Sequence, residues 1–414
     1  MPITTWTFPA RHSLGEEEKA ALLHLCDQAI ASGNTPGYNG PEEDAFGKEF
    51  AALLGGGYAD GVNSGTNALY VVLRALNLPA YSEVAVSAVT DPGGMMPIAA
   101  LSCIPVPVDS MPGSYNIGPN QLEERISTRT RAVVVAHIGG EAAPMPAIMA
   151  VARKHGLPVI EDCSQTPLAS VAGQPVGTFG VAAAFSLMFG KLACTGGQGG
   201  VVYTRDEDLY WRIRRAADRG KPFNRPPGAN NELVALNCNL DEFHAAIGRV
   251  QLRKLADIAH RRQAVVAMFR ERGLGDLRAV AIPLDASSDS CYWFWRLRFR
   301  QESMPCRKAE FCAALAKRGL PINPEYSGAL PARQDWYRFR AKSHPWSSAP
   351  GMAYADRDYP TPNADAAIAS HFNFMINEAF TAEDADQAIA IFREAEHEFG
   401  CNSQKWVTPM QPGH

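Results

Sequence analysis

Lys191 is the residue whose type and setting most directly suggest chemistry. It stands just before a glycine-rich run, Thr195–Gly200, and an earlier apolar run, Leu157–Ile160, ends in the acidic pair Glu161-Asp162. A lysine amine can form a Schiff base with an aldehyde, and a carboxylate at the end of a buried strand can hold a protonated ring nitrogen. The combination suggests a pyridoxal phosphate (PLP) site in which Lys191 and Asp162 carry the chemistry.

The segment Gly61–Asn67 is a second candidate for ligand binding. It brings small residues, including Ser64 and Thr66, to the start of an apolar helix predicted at Ala68–Leu76. Unpaired backbone N–H groups and the helix dipole converge at such a point and favour an anion. A plain N-cap by Ser64 or Thr66 explains the same residues equally well, so both interpretations stay open for this segment.

Other reactive residues have simpler structural explanations. Gly196–Gly200 lacks the lysine–serine pair of a nucleotide-binding loop and the dinucleotide fingerprint, which favours a tight turn beside Lys191. His137 follows a β run and is interpreted as a structural histidine rather than a base. Cys163 and Cys194 flank the proposed site without a nearby His–Asn arrangement, so a catalytic thiol is not expected.

The composition is that of a globular enzyme and argues against several other classes. The 414 residues are 46% hydrophobic and 20% charged, which suffices for a large core and two domains. A net charge of −4 without a basic stripe argues against a nucleic acid partner. The N-terminus lacks a signal-peptide pattern and the apolar runs are too short to cross a bilayer, so no membrane association is expected. Nine scattered cysteines without metal-ligand spacing indicate a reducing cytoplasm and no metal site.

Strand and helix candidates alternate through the centre of the chain and predict an α/β layer with a mostly parallel, buried sheet. Such sheets bind ligands beyond the carboxyl ends of their strands, which is where Asp162 and Ser186 fall. After a long helix, Leu240–Arg272, the pattern becomes that of a smaller domain with a strand at Cys291–Phe299. The central strand candidates are Glu83–Ala88, Pro105–Val108, Ala132–His137, Pro158–Glu161, Ala182–Ser186 and Gly200–Thr204.

Eight segments between residues 63 and 252 carry a family resemblance that covers most of the chain, from about residue 35 to 400. They are Asn63–Leu69, Ile104–Asp109, Ala136–Gly140, Leu157–Gln165, Val176–Gly180, Ala184–Lys191, Asn237–Ile247 and Gln251-Leu252. In this order and spacing they resemble the DegT-type sugar aminotransferases, which are PLP enzymes of fold type I. Each segment alone is weakly specific, whereas their order and spacing together are specific.

The resemblance implies a fold type I α/β architecture. We expect a large PLP-binding domain at residues 1–257, with a mostly parallel seven-stranded sheet between helices and an N-terminal arm and helix at 1–35. A smaller C-terminal α/β domain is expected at 258–401, and residues 402–414 are expected to be a disordered tail. The resemblance also implies a homodimer with shared active sites, because Asn237 matches a position that reaches the phosphate in the neighbouring subunit.

The resemblance further implies a role for each candidate residue. Lys191 is expected to be the Schiff-base lysine and the base that moves the proton. Asp162 is expected to hold the pyridinium nitrogen, and Gln165 to hydrogen-bond the ring hydroxyl. Other contacts to the cofactor are expected from Ser64, Gly65, Thr66, Asp91, Ser186 and Asn237.

Three positions depart from the family's usual pattern and bear on the substrate. Asp91 stands where an aromatic residue usually covers the cofactor ring, and a carboxylate cannot stack as a ring does. Either another residue covers the ring, or Asp91 contacts the cofactor or the substrate. Leu192 and Asn239 stand where Asn and Arg are common, which puts nucleotide recognition in doubt. The segment Ser370–Glu378 is similar to that of cyclitol-type members.

The sequence therefore predicts a cytoplasmic PLP-dependent aminotransferase that moves an amino group from glutamate or glutamine to a keto-sugar or keto-cyclitol. One alternative is another PLP reaction on a sugar-like substrate, such as elimination or dehydration. Lys191 argues against it, because the dehydratase branch of the family carries His at this position. The other alternative is a catalytically silent regulatory protein, against which the intact set of Lys191, Asp162 and Gln165 argues.

Overall fold

A seven-stranded sheet with helices packed against it forms the larger part of the molecule. The computed structural model describes residues 6–283, 289–350 and 357–401. The helices are α1 (Glu16–Ser32), α2 (Pro41–Leu53), α3 (Gly65–Leu76), α4 (Pro92–Ala100), α5 (Pro119–Arg125), α6 (Met145–Lys154), α7 (Glu207–Ala217), α8 (Glu242–Glu271), α9 (Lys308–Lys317), α10 (Asp335–Arg338), α11 (Pro362–Ser370) and α12 (Ala382–Cys401). The strands are β1 (Tyr58–Val62), β2 (Glu83–Ser87), β3 (Ile104–Val108), β4 (Thr130–Ala136), β5 (Val159–Asp162), β6 (Ser170–Val171), β7 (Gln174–Pro175), β8 (Ala182–Ser186), β9 (Gly200–Thr204), β10 (Val280–Ala281), β11 (Trp295–Phe299), β12 (Ile322–Asn323) and β13 (His371–Phe374).

The large sheet has the strand order β1-β9-β8-β5-β4-β2-β3. Strands β3, β2, β4, β5 and β8 run parallel, while β9 is antiparallel to both β8 and β1. The parallel strands are buried almost throughout, as expected for apolar strands covered by helices. The predicted α/β fold with a mostly parallel seven-stranded sheet is therefore confirmed.

Strand β1 is the member of this sheet that the sequence pattern did not reveal. It contains Asp60 and Gly61, two residue types that are depleted in strands. Asp60 is nonetheless buried and pairs with Arg214 of α7 at 3.0 Å, while β1 pairs with β9 along its whole length. A distant helix thus supplies the partner for a buried charge, which no local pattern could indicate.

A second, four-stranded antiparallel sheet has the order β10-β11-β13-β12 and its own apolar core. The predicted strand Cys291–Phe299 is wrong at its start, because β11 begins only at Trp295. The preceding residues instead dock on the large sheet: the backbone N–H groups of Cys291 and Phe294 donate to the carbonyls of Gly140 and Gly139, at 3.1 and 3.4 Å. This docking brings the segment before β11 to the edge where β4 and β5 end.

The long helix α8 runs across residue 257, contacting α1 and α2 as well as α12. The domain boundary expected at this residue stays a prediction, and the tail expected at 402–414 lies outside the described residues. In the part of the chain that the structure describes, no helix combines the length and apolarity that a membrane span requires.

Candidate active site

A cavity of about 180 Å³ lies where β5 and β8 end and α3 begins. Asp162 is the last residue of β5, Ser186 is the last residue of β8, and Gly65 is the first residue of α3. Because neighbouring parallel strands end at the same edge of a sheet, residues far apart in sequence meet there. The cavity is lined by all the predicted site residues except Asn237, that is by Ser64, Gly65, Thr66, Asp91, Asp162, Gln165, Ser186 and Lys191.

The start of α3 suits a phosphate group. Ser64 is the N-cap, and its hydroxyl accepts a hydrogen bond from the Asn67 N–H at 3.0 Å. The N–H groups of Gly65 and Thr66 lie in the first turn, where a helix offers no internal partner and its dipole favours an anion. A Cβ on Gly65 would lie 2.6 Å from the Cβ of Ser186. Only glycine therefore lets Ser186 approach the helix start so closely, and the N-cap bond of Ser64 does not exclude an anion at the same helix start.

Lys191 and Asp162 face this cavity from largely buried positions, with 8% and 7% of their surface exposed. Burial lowers the pKa of Lys191 to about 8, although the negative charges of Asp162 and Asp91 oppose the change. An amine with this pKa can both accept and donate a proton near neutral pH.

Asp162 is suited to a cationic partner. Burial raises the pKa of its carboxyl, while the hydrogen bond from Ser164, at 3.0 Å, and the charge of Lys191 act in the opposite direction. A protonated ring nitrogen beside this carboxylate would favour its ionised form. The last position of β5 therefore offers a buried acid that a pyridinium would stabilise.

Gln165 is held between the two parts of the molecule. Its Oε1 accepts the Gly139 N–H at 2.7 Å, and its Nε2 donates to the Tyr326 hydroxyl at 2.9 Å. An amide nitrogen carries two hydrogens, so one remains for another acceptor, such as a ring hydroxyl. The sequence pattern did not indicate Tyr326, which lies in the segment that follows β12.

Asp91 caps helix α4 and also faces the cavity. Its Oδ1 accepts the Gly93 N–H at 2.8 Å, and its side chain is exposed. Asp91 additionally lines a neighbouring cavity of about 250 Å³, together with Pro92, Asn323, Tyr326, Gly328 and Ala329. Its carboxylate therefore stands where the cavity that contains Lys191 meets a second space of comparable size.

Two glycines after Asp91 allow α4 to approach the site closely. A Cβ on Gly93 would lie 2.2 Å from the hydroxyl oxygen of Thr66. A Cβ on Gly94 would lie 3.3 Å from Asp162 Oδ2 and would clash with Thr90. Gly93 and Gly94 therefore form one wall of the cavity. A larger side chain at either position would take up space in the cavity.

His137, Glu161 and Cys163 form a buried group beside the cavity, with their potential metal-ligand atoms within 4.8 Å of one another. The side chains of His137 and Glu161 are already engaged in hydrogen bonds. His137 Nδ1 accepts the Ala143 N–H at 3.0 Å and its Nε2 lies 3.3 Å from Glu161. Glu161 also accepts hydrogen bonds from the N–H groups of Gly177, Phe179 and Gly180. Burial raises the pKa of the Cys163 thiol well above its ordinary value. These bonds favour a structural role for His137 and Glu161, and the interpretation of His137 and Cys163 from the sequence stays a prediction.

Trp293 belongs to the site although no sequence signal indicated it. The centre of its ring lies 3.8 Å from Lys191 Nζ, and its indole N–H donates to the Gly190 carbonyl at 2.9 Å. The two bonded residues are 103 positions apart. A contact of this kind follows only from how the segment before β11 docks on the large sheet.

Asn237 lies apart from the cavity lining. It is exposed, and its Oδ1 accepts a hydrogen bond from the Asn239 side chain at 2.6 Å. Its expected contact with a neighbouring subunit's cofactor stays a prediction.

The side chains around the cavity fit PLP group by group. The start of α3 and the Ser186 hydroxyl suit the phosphate, the Lys191 amine suits the aldehyde, Asp162 suits the ring nitrogen and Gln165 suits the ring hydroxyl. The close approaches enforced by Gly65, Gly93 and Gly94 leave the space between these groups free of side chains.

Comparisons with known proteins point to aminotransferases. The model of the DegT/DnrJ/EryC1/StrS aminotransferase family matches residues 16–393. The dTDP-3-amino-3,4,6-trideoxy-alpha-D-glucose transaminase of Streptomyces venezuelae is 32% identical over 297 residues, which are 70% of this chain and 77% of that protein. The L-glutamine:2-deoxy-scyllo-inosose aminotransferase of Micromonospora echinospora is 32% identical over 310 residues, 72% of each chain. The solved structure of S. venezuelae DesV in complex with a ketimine intermediate has a TM-score of 0.79 and 28% identity, over 95% of this chain and 99% of that one.

Proposed function

The chain belongs to the DegT/DnrJ/EryC1/StrS aminotransferase family, and we propose that it moves an amino group from glutamate or glutamine to a keto-sugar or keto-cyclitol, with PLP as its cofactor. The observation that carries the proposal is the cavity in which the buried Lys191 and Asp162 meet the start of α3. A covalent amine, a ring-nitrogen partner and an anion site are the groups that this chemistry requires.

Lys191 is the centre of the proposed mechanism. When bound, PLP supplies an electron sink for the carbon next to the transferred nitrogen. Lys191 would hold the cofactor's aldehyde carbon through Nζ, and the same atom would move the proton. Because burial lowers its pKa to about 8, Nζ can take a proton in one half-reaction and return one in the other. Two half-reactions at one site give ping-pong kinetics.

The other proposed residues orient the cofactor. Asp162 would keep the ring nitrogen protonated, and Gln165 would donate to the ring hydroxyl with its remaining amide hydrogen. The phosphate is held by Ser64, Gly65, Thr66 and Ser186 around the start of α3. Asp91, which has no ring to stack, is proposed to contact the substrate or the cofactor through its carboxylate.

The acceptor class is proposed from both the relatives and this chain's own residues. One relative's name specifies a dTDP-linked amino sugar, and the other's specifies L-glutamine and 2-deoxy-scyllo-inosose. In this chain, Leu192 and Asn239 depart from the usual pattern, and Asp91 places negative charge where an acceptor would enter. These features favour a free keto-cyclitol, or a keto-sugar without a nucleotide, as the acceptor.

The oligomeric state, the domain boundary and the cellular location are part of the same proposal. We propose a homodimer with shared sites, in which Asn237 reaches the partner's phosphate, and two domains that meet at residues 257 and 258. A cytoplasmic location is supported by the eight cysteines whose side chains the structure describes, all of which are free thiols.

Absorbance spectroscopy tests the proposed function directly. We expect the protein with PLP to absorb near roughly 420 nm and the band to move to roughly 330 nm when glutamate or glutamine is added. A keto-cyclitol such as scyllo-inosose should then restore the first band. The Lys191→Ala variant is the control and should show neither conversion. A band that forms but does not respond to any amino donor would favour another PLP reaction, and no band at all would favour a silent protein.

A further inference from the structure

We propose that Trp293 is a positioning residue for Lys191, whose ring holds the lysine amine at the cavity whenever that amine is not bonded to the cofactor. The inference rests on the proposed aminotransferase function, because a lysine that is released and re-bonded in each cycle needs a defined resting place. Three observations carry it: the contact itself, the backbone bonds that fix the ring, and a buried ion network that ties the two segments together.

The contact has the geometry of a cation–π interaction. Lys191 Nζ lies 3.8 Å from the centre of the Trp293 ring, well within the range over which a ring attracts an ammonium. Tryptophan is the strongest of the aromatic partners, and the attraction increases when the pair is shielded from water. The ring here is a tryptophan, and the pair is largely shielded from water, because Lys191 is 8% exposed and Trp293 is half-buried.

Two features fix the ring: a hydrogen bond from its indole N–H, and the close packing of its backbone against Gly140. The indole N–H donates to the Gly190 carbonyl at 2.9 Å, so Trp293 holds the residue next to Lys191 as well as its amine. A Cβ on Gly140 would lie 2.3 Å from the Tyr292 nitrogen and 2.8 Å from the Trp293 nitrogen. Only glycine at position 140 permits this approach. The loop that follows β4 therefore lets the backbone of Trp293 pack closely against it.

A buried carboxylate connects the segments that carry the ring and the amine. Glu378 pairs with Arg262 at 2.9 Å and with Arg11 at 2.7 Å. Arg262 donates to the carbonyls of Tyr292 and Trp293, at 2.9 and 3.1 Å. Arg11 donates to the carbonyls of residues 191 and 192.

One ion network therefore fixes both partners of the contact. Arg262 and Glu378 are 3% and 7% exposed, so their bonds are shielded from competition with water. The network holds the backbone on both sides of the contact, so the ring and the lysine side chain extend from fixed positions. This supports a positioning role over a chance contact of a long lysine.

The test measures the pKa of Lys191 in the full-length, cofactor-free protein, from the pH dependence of acetic anhydride labelling read by peptide mass spectrometry. A ring that stabilises the ammonium should, when removed in Trp293→Leu, let the pKa fall by roughly one. A ring that only excludes water should, when removed, let it rise from about 8 toward its ordinary value. The charges that act on Lys191, those of Asp162 and Asp91, are unchanged in this variant. A fall supports the proposal, and a rise or no change overturns it.

Two further measurements keep the test decisive. Trp211→Leu, which removes a half-buried ring from α7, should leave the pKa of Lys191 unchanged. If Trp293→Leu does not fold, as judged by circular dichroism, fluorinated tryptophan decides instead. It weakens the ring's attraction without changing its shape, so it should lower the pKa of Lys191 in the native sequence but not in a Trp293→Phe background. Labelling needs neither donor nor acceptor, so this outcome is independent of the donor-driven spectral test of the proposed function.

Discussion

Asp91 stands where an aromatic residue was expected to cover the cofactor ring. Its role as a helix cap and its role as a charge that faces the cavities can be separated by substitution. Asn caps a helix as well as Asp does, so Asp91→Asn should retain the bond to Gly93 and the melting temperature. It removes the charge that faces both cavities. Loss of a charged hydrogen bond to the acceptor should reduce kcat/KM for the acceptor half-reaction about tenfold or more. The donor half-reaction, followed by stopped-flow absorbance, should change little.

Asp206 offers a matched control for this substitution. It caps α7 in the same manner, accepting the Leu209 N–H at 2.9 Å, and it does not line the cavity. Asp206→Asn should therefore leave both half-reactions unchanged. Equal losses in the two half-reactions of Asp91→Asn would instead mean that Asp91 acts on the cofactor, and no loss in either would leave it as a cap alone. Asp91→Phe, with turnover and cofactor affinity unchanged, would also remove any special role for the carboxylate.

At the residue scale, a residue could be predicted to lie at the site when the alternation of strands and helices placed it at the end of a strand. Asp162 and Ser186 were placed correctly because parallel strands end at one edge, whatever the sequence distance between them. Trp293 and Tyr326 were not predicted, because each reaches the site through the docking of one sheet on another. Asp60 escaped prediction for the same reason, since its partner lies on a helix more than a hundred residues away.

At the scale of elements, Glu378 joins the N-terminal segment, α8 and the segment after β13 through its two arginines. Glu378→Gln would leave a buried guanidinium without its counter-ion, so it should lower the free energy of unfolding at pH 7 by about 3–5 kcal/mol. Burial alone would raise the pKa of Glu378, but Arg262 and Arg11 lower it below its ordinary value of 4.5. The stabilisation is therefore present above pH 4.5 and is lost as the pH falls through the lowered pKa. Urea unfolding at several pH values should show wild type and Glu378→Gln converging only in acid.

An exposed ion pair provides the contrast for that prediction. Glu302 pairs with Arg298 on the surface at 3.0 Å. Such pairs are screened by water, so Glu302→Gln should leave the urea midpoint nearly unchanged at every pH. A difference between wild type and Glu378→Gln that stays constant down to strongly acid pH would show that packing, rather than charge, accounts for the loss.

Helix and strand boundaries show where local signals suffice and where they do not. Strands β8 and β9 match the prediction, because apolar runs bounded by glycine or polar residues define them. Strand β13 and helix α11 were not predicted, since the alanine-rich and His-Phe-Asn-Phe segments carry no clear periodicity. The pairing of β13 with β11 and β12 supplies the order that its local sequence lacks.

At the scale of the whole molecule, Asn237 is the residue that we propose to link the site to assembly. It is exposed and lies outside the cavity of its own chain, which agrees with a role across a two-fold interface. Asn237→Asp keeps the acceptor for the Asn239 bonds but adds negative charge, which should repel a phosphate in the partner's site. Light scattering should find a dimer for this variant and for wild type.

Mixing inactive variants tests whether the sites are shared. Lys191→Ala and Asn237→Asp homodimers should each be nearly inactive. In a mixed dimer, one site combines an intact Lys191 with an intact Asn237 from the other chain, so random exchange at equal amounts should restore about a quarter of wild-type activity. Lys191→Ala mixed with Asp162→Ala should restore none, because both residues act within the same chain's cavity, where they lie together. A monomer in solution, or a dimer that fails to recover activity after verified exchange, would remove Asn237 from the neighbouring site and leave each cavity to function within one chain.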